Sequence, residues 1–81
     1  MDTKYILYVR TDCPFCVKAS ELLKEKGLNF STLDLKTRPK VLQEMKSIYE
    51  WNTVPMVFRK NGNQIEFIGG FSDLSERLIN G

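Results

Sequence analysis

Histidine is absent from this chain of 81 residues, and cysteine occurs only twice. A closed zinc site wants four ligands drawn mainly from those two residue types, so one built within a single chain has no support. Charge of one sign is also lacking. Twelve basic residues stand against ten acidic ones, the net charge is +2, and no basic run is longer than a pair. That balance describes a solvated surface and gives no argument for nucleic acid as a partner. Long hydrophobic runs are missing too. Met1-Asp2-Thr3-Lys4 leads into an apolar stretch of only five residues, Tyr5 to Val9, with no small-residue cleavage site after it. This is too short for a signal-peptide core, and far below the roughly 20 apolar residues that span a bilayer. The expectation is a cytoplasmic protein with no membrane partner. In such a reducing compartment a cysteine pair is more often catalytic or metal-binding than a structural staple. Linkers, internal repeats and low-complexity segments are absent as well, so residues 1–81 are read as one domain. A domain of this size buries only roughly 60–65% of its unfolded surface, which leaves a small stability margin.

The segments that are present alternate in period. Residues 4–10, KYILYVR, form a near-continuous apolar run, as in a strand buried on both faces. Thr11-Asp12 is a turn. Pro14 suits a first helical turn, and Val17 to Lys26 carries a helical apolar stripe that Gly27 ends. Residues 29–35, NFSTLDL, alternate as an edge strand, which makes the first three elements a parallel crossover. Val41, Leu42, Met45, Ile48 and Tyr49 predict a helix over 39–50. Val54 to Phe58 and Gln64 to Ile68 read as strands joined by an Asn61-Gly62 hairpin turn, with Pro55 at a strand start or edge. Phe71, Leu74, Leu78 and Ile79 mark a last helix with Ser72 as its N-cap. The order β-α-β-α-β-β-α predicts an α/β fold with a four-stranded mixed sheet flanked by three helices.

Both cysteines fall in Cys13-Pro14-Phe15-Cys16, between the first strand and the first helix. Backbone N–H groups at a helix start lack partners, so a thiolate placed there is stabilised and becomes a nucleophile near neutral pH. A Cys-x-x-Cys beside a βαβ pattern reads as a redox motif. A thousandfold gain in thiol acidity corresponds to about 4 kcal/mol, whereas one helix terminus supplies about 0.3–2 kcal/mol. Local N–H···S bonds and a nearby cation, Arg10 or Lys18, are expected to supply the rest.

Further along lie Thr53-Val54-Pro55 and Gly69-Gly70-Phe71-Ser72-Asp73-Leu74. With the Cys-Pro-aromatic-Cys motif in front of them, these segments make the chain resemble a dithiol glutaredoxin over about residues 4–79. Each motif is weak alone; their order and spacing together are specific. The resemblance implies a thioredoxin-like fold and a glutathione-dependent thiol–disulfide oxidoreductase. Cys13 would be the nucleophile and Cys16 the resolving thiol. It implies a cis bond before Pro55, with the Val54 backbone pairing with the cysteine residue of glutathione and Thr53 in the same turn. Gly70, Ser72 and Asp73 would receive the γ-glutamyl end, Arg10 the glycyl carboxylate, and Phe15 would line the site. Phe15 stands where the family usually has tyrosine. The family's polar contact from the helix before Thr-Val-Pro falls by count on Leu42, with Gln43 beside it. Implied partners are glutathione and disulfide-bearing or glutathionylated proteins, ribonucleotide reductase among them, with the protein acting as a monomer and needing no metal.

Two other readings stand beside this one. One is a redoxin reduced by thioredoxin reductase; relatives of that kind carry other residues between the cysteines and a tryptophan-containing segment near Gly-Gly, where this chain has Ile68-Gly69-Gly70-Phe71. The other is a carrier of an iron–sulfur cluster completed by glutathione. Trp51, Tyr49 and Phe71 are read as packing residues.

Overall fold

The computed structural model describes residues 3–80; Met1, Asp2 and Gly81, and with them the reading of Met1-Asp2 as the start of a chain without a leader, lie outside the described residues. Seven elements follow in the expected order: β1 (Thr3–Val9), α1 (Pro14–Glu25), β2 (Phe30–Asp34), α2 (Pro39–Tyr49), β3 (Met56–Asn61), β4 (Gln64–Gly69) and α3 (Phe71–Asn80). The strands form one sheet in the order β2-β1-β3-β4. β1 runs parallel to β2 and antiparallel to β3, and β3 pairs antiparallel with β4. β2 is therefore an edge strand, which accounts for its polar alternation.

The near-continuous apolar character of β1 has a direct cause. Side chains alternate between the two faces of a strand, and both faces here are covered. Tyr5 and Leu7 pack with Ala19 and Leu23 of α1, Val57 of β3 and Leu74 of α3. Ile6 and Tyr8 point the other way, against Leu35, Leu42 of α2, Met56 and Phe58. Two thin cores thus lie on either side of the sheet, with α1 and α3 over one face and α2 over the other. On the α2 side the rings of Phe58 and Phe67 stand 5.1 Å apart, with Tyr49 against both and Trp51 against Phe67.

Element ends differ from the sequence reading where caps and turns override periodicity. α1 begins at Pro14, ahead of its first apolar stripe residue, because Cys13 acts as its N-cap. β1 ends at Val9, so Arg10 lies beyond the strand, and β2 ends at Asp34, leaving buried Leu35 outside it. β3 starts only at Met56; Val54-Pro55, joined by a cis peptide bond, precedes the strand and is bent away from its line. α2 stops at Tyr49, where Glu50 takes a left-handed cap conformation with φ 52°.

Candidate functional site

The site forms where the N-termini of α1 and α3 and the loop ahead of β3 meet. Cys13 is extended (φ −114°, ψ 105°) and occupies the N-cap position that serine or aspartate commonly fills. Its sulfur takes the role of the capping oxygen: the Cys16 backbone N–H donates to Cys13 Sγ at 3.1 Å. Pro14 follows at a position where its missing N–H is not needed. Cys16 sits one turn further along, on the inward face of α1, and is 4% exposed, whereas Cys13 is only half-buried. The two are joined as a disulfide with their Cα atoms 5.2 Å apart. Cys13 Sγ also lies 3.6 Å from the Val54 carbonyl oxygen, which brings the loop before cis-Pro55 against the thiol end of α1.

From that contact the site continues to α3. Pro55 is fully buried, Val54 half-buried and Thr53 exposed. Gly70 is buried against the same loop: a Cβ built on it would lie 3.8 Å from the Pro55 carbonyl oxygen and 3.6 Å from the Trp51 ring. Asp73 folds back so that its Oδ2 accepts from the Gly70 N–H at 2.9 Å. This corrects the assignment of Ser72 as the helix cap. α3 starts at Phe71, so Ser72 lies inside the first turn, and the acidic side chain three residues after Gly70 reaches back to the capping N–H. Ser72 is exposed. The Phe15 ring, 54% exposed, packs 6.0 Å from the Phe71 ring and bridges the two helix starts.

Lys18 Nζ sits over the Phe15 ring, 5.1 Å from its centre. Arg10 is exposed and opens on a cleft of about 520 Å³ lined also by Leu35, Lys36, Gln43 and Lys46. Leu42 and Gln43 separate here. Both line the cleft with Arg10, but Leu42 is 7% exposed and its side chain joins the core under α2, while Gln43 is exposed. Of the two, Gln43 is the polar side chain at the cleft. Among the described residues, one backbone donor, the Cys16 N–H, is within hydrogen-bonding range of Cys13 Sγ.

These features have counterparts in known proteins. The glutaredoxin family model matches residues 5–65. Glutaredoxin-C2 of Arabidopsis thaliana is 36% identical over 63 residues, which is 74% of this chain and 56% of the plant protein. Glutaredoxin 3 of Escherichia coli K12 is 32% identical over 68 residues, covering 84% of this chain and 77% of that one. A crystal structure of wheat glutaredoxin superposes with a TM-score of 0.79 at 29% identity, over 95% of this chain and 71% of the wheat chain. The chain belongs to the glutaredoxin family. Its fold is accordingly thioredoxin-like, with the four-stranded mixed sheet and three helices described above. The chain spans a little over half the length of the plant relative. Among the described residues, no helix is long and apolar enough to cross a membrane.

Two features of this glutaredoxin were not read from its sequence. The first is the Trp51 Nε1: the ring packs on Gly70 and Phe67, as expected of a packing residue, and this N–H is buried without a hydrogen-bond partner among the described residues. The second is an anchor for the loop that carries Cys13. Asp34, at the end of β2, accepts from the Thr11 hydroxyl through Oδ2 and from the Lys36 N–H through Oδ1 at 2.9 Å. Thr11 and Asp34 are 23 positions apart and meet because the parallel register sets Val9 opposite Asp34. The Thr11 hydroxyl first, and then the Lys36 N–H, hold the Asp34 carboxyl below the usual aspartate range. A carboxylate with a lowered folded value contributes stability that is present above its unfolded value of about 3.9 and is lost as pH falls through the lower folded value. Thermal melting of wild type and Asp34→Asn should therefore differ at pH 7 and converge in acid below about pH 3.9. A pH-independent difference would show that the carboxylate charge has no part in the anchor.

Proposed function

We propose that this protein is a glutathione-dependent thiol–disulfide oxidoreductase, with Cys13 as nucleophile and Cys16 as resolving thiol. The observation that carries the reading is the setting of Cys13. It caps a helix start, receives the Cys16 N–H on its sulfur, is the more exposed thiol of the pair, and faces the backbone of Val54 beside cis-Pro55. A helix N-terminus favours negative charge, so the reduced Cys13 is favoured as thiolate.

The reaction balances as two exchanges. The Cys13 thiolate attacks the glutathione sulfur of a mixed disulfide. The S–S bond breaks, the substrate leaves as thiolate and takes a proton, and Cys13 holds the glutathionyl group. The thiolate of a second glutathione attacks that sulfur, releases Cys13 as thiolate and leaves as glutathione disulfide. With a protein disulfide, Cys16 instead gives up its proton and attacks the Cys13 mixed disulfide. That expels the second substrate thiolate and forms the Cys13–Cys16 bond seen here. Two electrons pass to the substrate in either case.

The surrounding residues fit glutathione as co-substrate. Val54 offers backbone groups to its cysteine residue, with Thr53, Pro55 and Phe15 as walls. The first turn of α3, with Ser72 and Asp73 on it, offers N–H groups without helical acceptors to its γ-glutamyl carboxylate. Because the Gly70 N–H is already taken by Asp73, Gly70 serves by its lack of a side chain. Arg10 and Gln43 stand at the cleft end for the glycyl carboxylate, where a guanidinium can bind in bidentate fashion. We further propose residues 1–81 as a single catalytic domain, acting as a cytoplasmic monomer without a metal. Its substrates would be disulfide-bearing or glutathionylated proteins, with ribonucleotide reductase as one substrate class to assay.

The test is regeneration. Turnover of a mixed disulfide of glutathione and 2-mercaptoethanol should run on glutathione with glutathione reductase, and should fail when thioredoxin reductase replaces both. Reduction by thioredoxin reductase alone would assign the chain to the other redoxin class. A coloured, inactive protein would assign it to cluster transfer.

A further inference from the structure

The cleft beyond Arg10 is larger than a single carboxylate needs, and the charged side chains that line it are all cationic, with the exposed Asp34 carboxylate within electrostatic reach of Arg10 and Lys36. Arg10, Lys36 and Lys46 line it together with Gln43, Ser47 and Asn52, and no acidic residue does. Among the described residues none of these three cations is in an ion pair; the one salt bridge, Arg77 to Glu66, involves none of them. Residues 36–46 hold four basic residues against one acidic, in a chain whose net charge is only +2. That one acid, Glu44, opens with Lys40 on a neighbouring cleft. The side chains of Lys36 and Lys46 are separated along the sequence and come together because the β2–α2 connection folds α2 over the end of β1. Lys36 and Lys46 thus share one cleft with Arg10.

We propose that this cleft docks an acidic segment of the polypeptide substrate, the residues that follow its reactive cysteine, with Lys36 and Lys46 as the specificity-determining cations. The proposal rests on the glutathione reading above, which sets the direction. A peptide disulfide bound to Cys13 along Val54 in the place of glutathione sends the chain after its cysteine toward Arg10, where the glycyl carboxylate would lie. Aspartate or glutamate at the next few positions then enters the field of Lys36 and Lys46. Such half-exposed charge pairs give modest energies each but add selectivity among partners and raise association rates.

The experiment compares three disulfide-linked peptide substrates that differ only after, or only before, the reactive cysteine. One has two aspartates after it, one has two aspartates before it, and one is neutral. For the wild-type protein, kcat/KM for the peptide with acids after the cysteine should exceed the neutral one by about tenfold. The preference should shrink toward parity at about 1 M salt, where the screening length is about 3 Å. Lys36→Gln with Lys46→Gln should remove it, and Lys36→Glu with Lys46→Glu should reverse it, so that the neutral peptide exceeds the one with acids after the cysteine. Equal kcat/KM for all three peptides in wild type, or an equal preference for acids before the cysteine, overturns the docking proposal. The small mixed disulfide of glutathione and 2-mercaptoethanol, assayed in parallel with wild type, separates the two readings. Turnover of it without peptide discrimination sinks only the cleft proposal, and no turnover of any substrate sinks the glutathione reading beneath it.

Discussion

Cys13→Ser should lower turnover of a glutathione mixed disulfide by roughly a thousandfold or more, while Cys16→Ser keeps glutathionyl transfer within about tenfold of wild type. The asymmetry comes from geometry. Cys13 is the thiol at the helix cap, with the Cys16 N–H on its sulfur and an open side toward Val54. A serine hydroxyl there would accept the same N–H but stay protonated, and a neutral oxygen does not displace a thiolate from a disulfide. Cys16, at 4% exposure, cannot meet a bulky substrate first. It becomes reactive only when Cys13 carries a mixed disulfide one helical turn away. Cys16→Ser should therefore abolish the intramolecular disulfide and slow reduction of protein disulfides, yet leave the monothiol route open. Steady-state rates with glutathione and glutathione reductase measure both variants. A fully active Cys13→Ser protein would reverse the assignment of the two sulfurs.

The second large effect is expected at Gly69. Its φ of +127° lies where a side chain is strained, and an added Cβ would sit 2.5 Å from Asp73 Oδ2 and 3.0 Å from Asp73 Cβ. The carboxylate tip alone could rotate away, but the Asp73 Cβ is fixed by α3, so the strand end and the helix start must separate. Gly69→Ala then combines backbone strain of about 1–3 kcal/mol with loss of the Asp73–Gly70 hydrogen bond, worth about 1 kcal/mol. Against a total stability of about 4–12 kcal/mol for a domain of this length, that should lower Tm by about 10–25 °C. Asp73→Ala removes only the hydrogen bond and should cost far less stability. Both variants should raise KM for the glutathione substrate, because both disturb the first turn of α3. A Gly69→Ala protein that melts within a few degrees of wild type would show that α3 yields without strain.

Most element types were legible because they depend on neighbours in the chain. The helical stripe of α2 and the apolar run of β1 are local patterns, and each appeared where its pattern was strongest; the β3–β4 hairpin formed too, but Asn61 ends β3 and pairs with Gln64, so the turn falls on Gly62-Asn63 rather than on Asn61-Gly62. Reading failed by one or a few residues where a side chain far away, or a cap, decided the outcome. Ser72 has the chemistry of a cap, but α3 starts two residues too early for it, and Asp73 closes the turn instead. Leu42 and Gln43 are adjacent, so they point about 100° apart on α2. Their spacing to Thr53 could not say which one is buried and which exposed until the α2 core contacts were known.

For Cys13-Pro14-Phe15-Cys16, the sequence by itself determined that two thiols stand at a strand-to-helix junction, which of the two comes first, and what kind of protein the chain resembles. Those properties follow from chain order and short-range stereochemistry. The tertiary structure alone decided what surrounds the thiols. It supplied the Val54 carbonyl at 3.6 Å, the Thr11–Asp34 anchor under the loop, and the meeting of Arg10 with Lys36 and Lys46. These contacts join residues up to 41 positions apart. They depend on sheet register and on which face of the sheet each helix covers, and such long-range choices are set by burying two apolar faces at once.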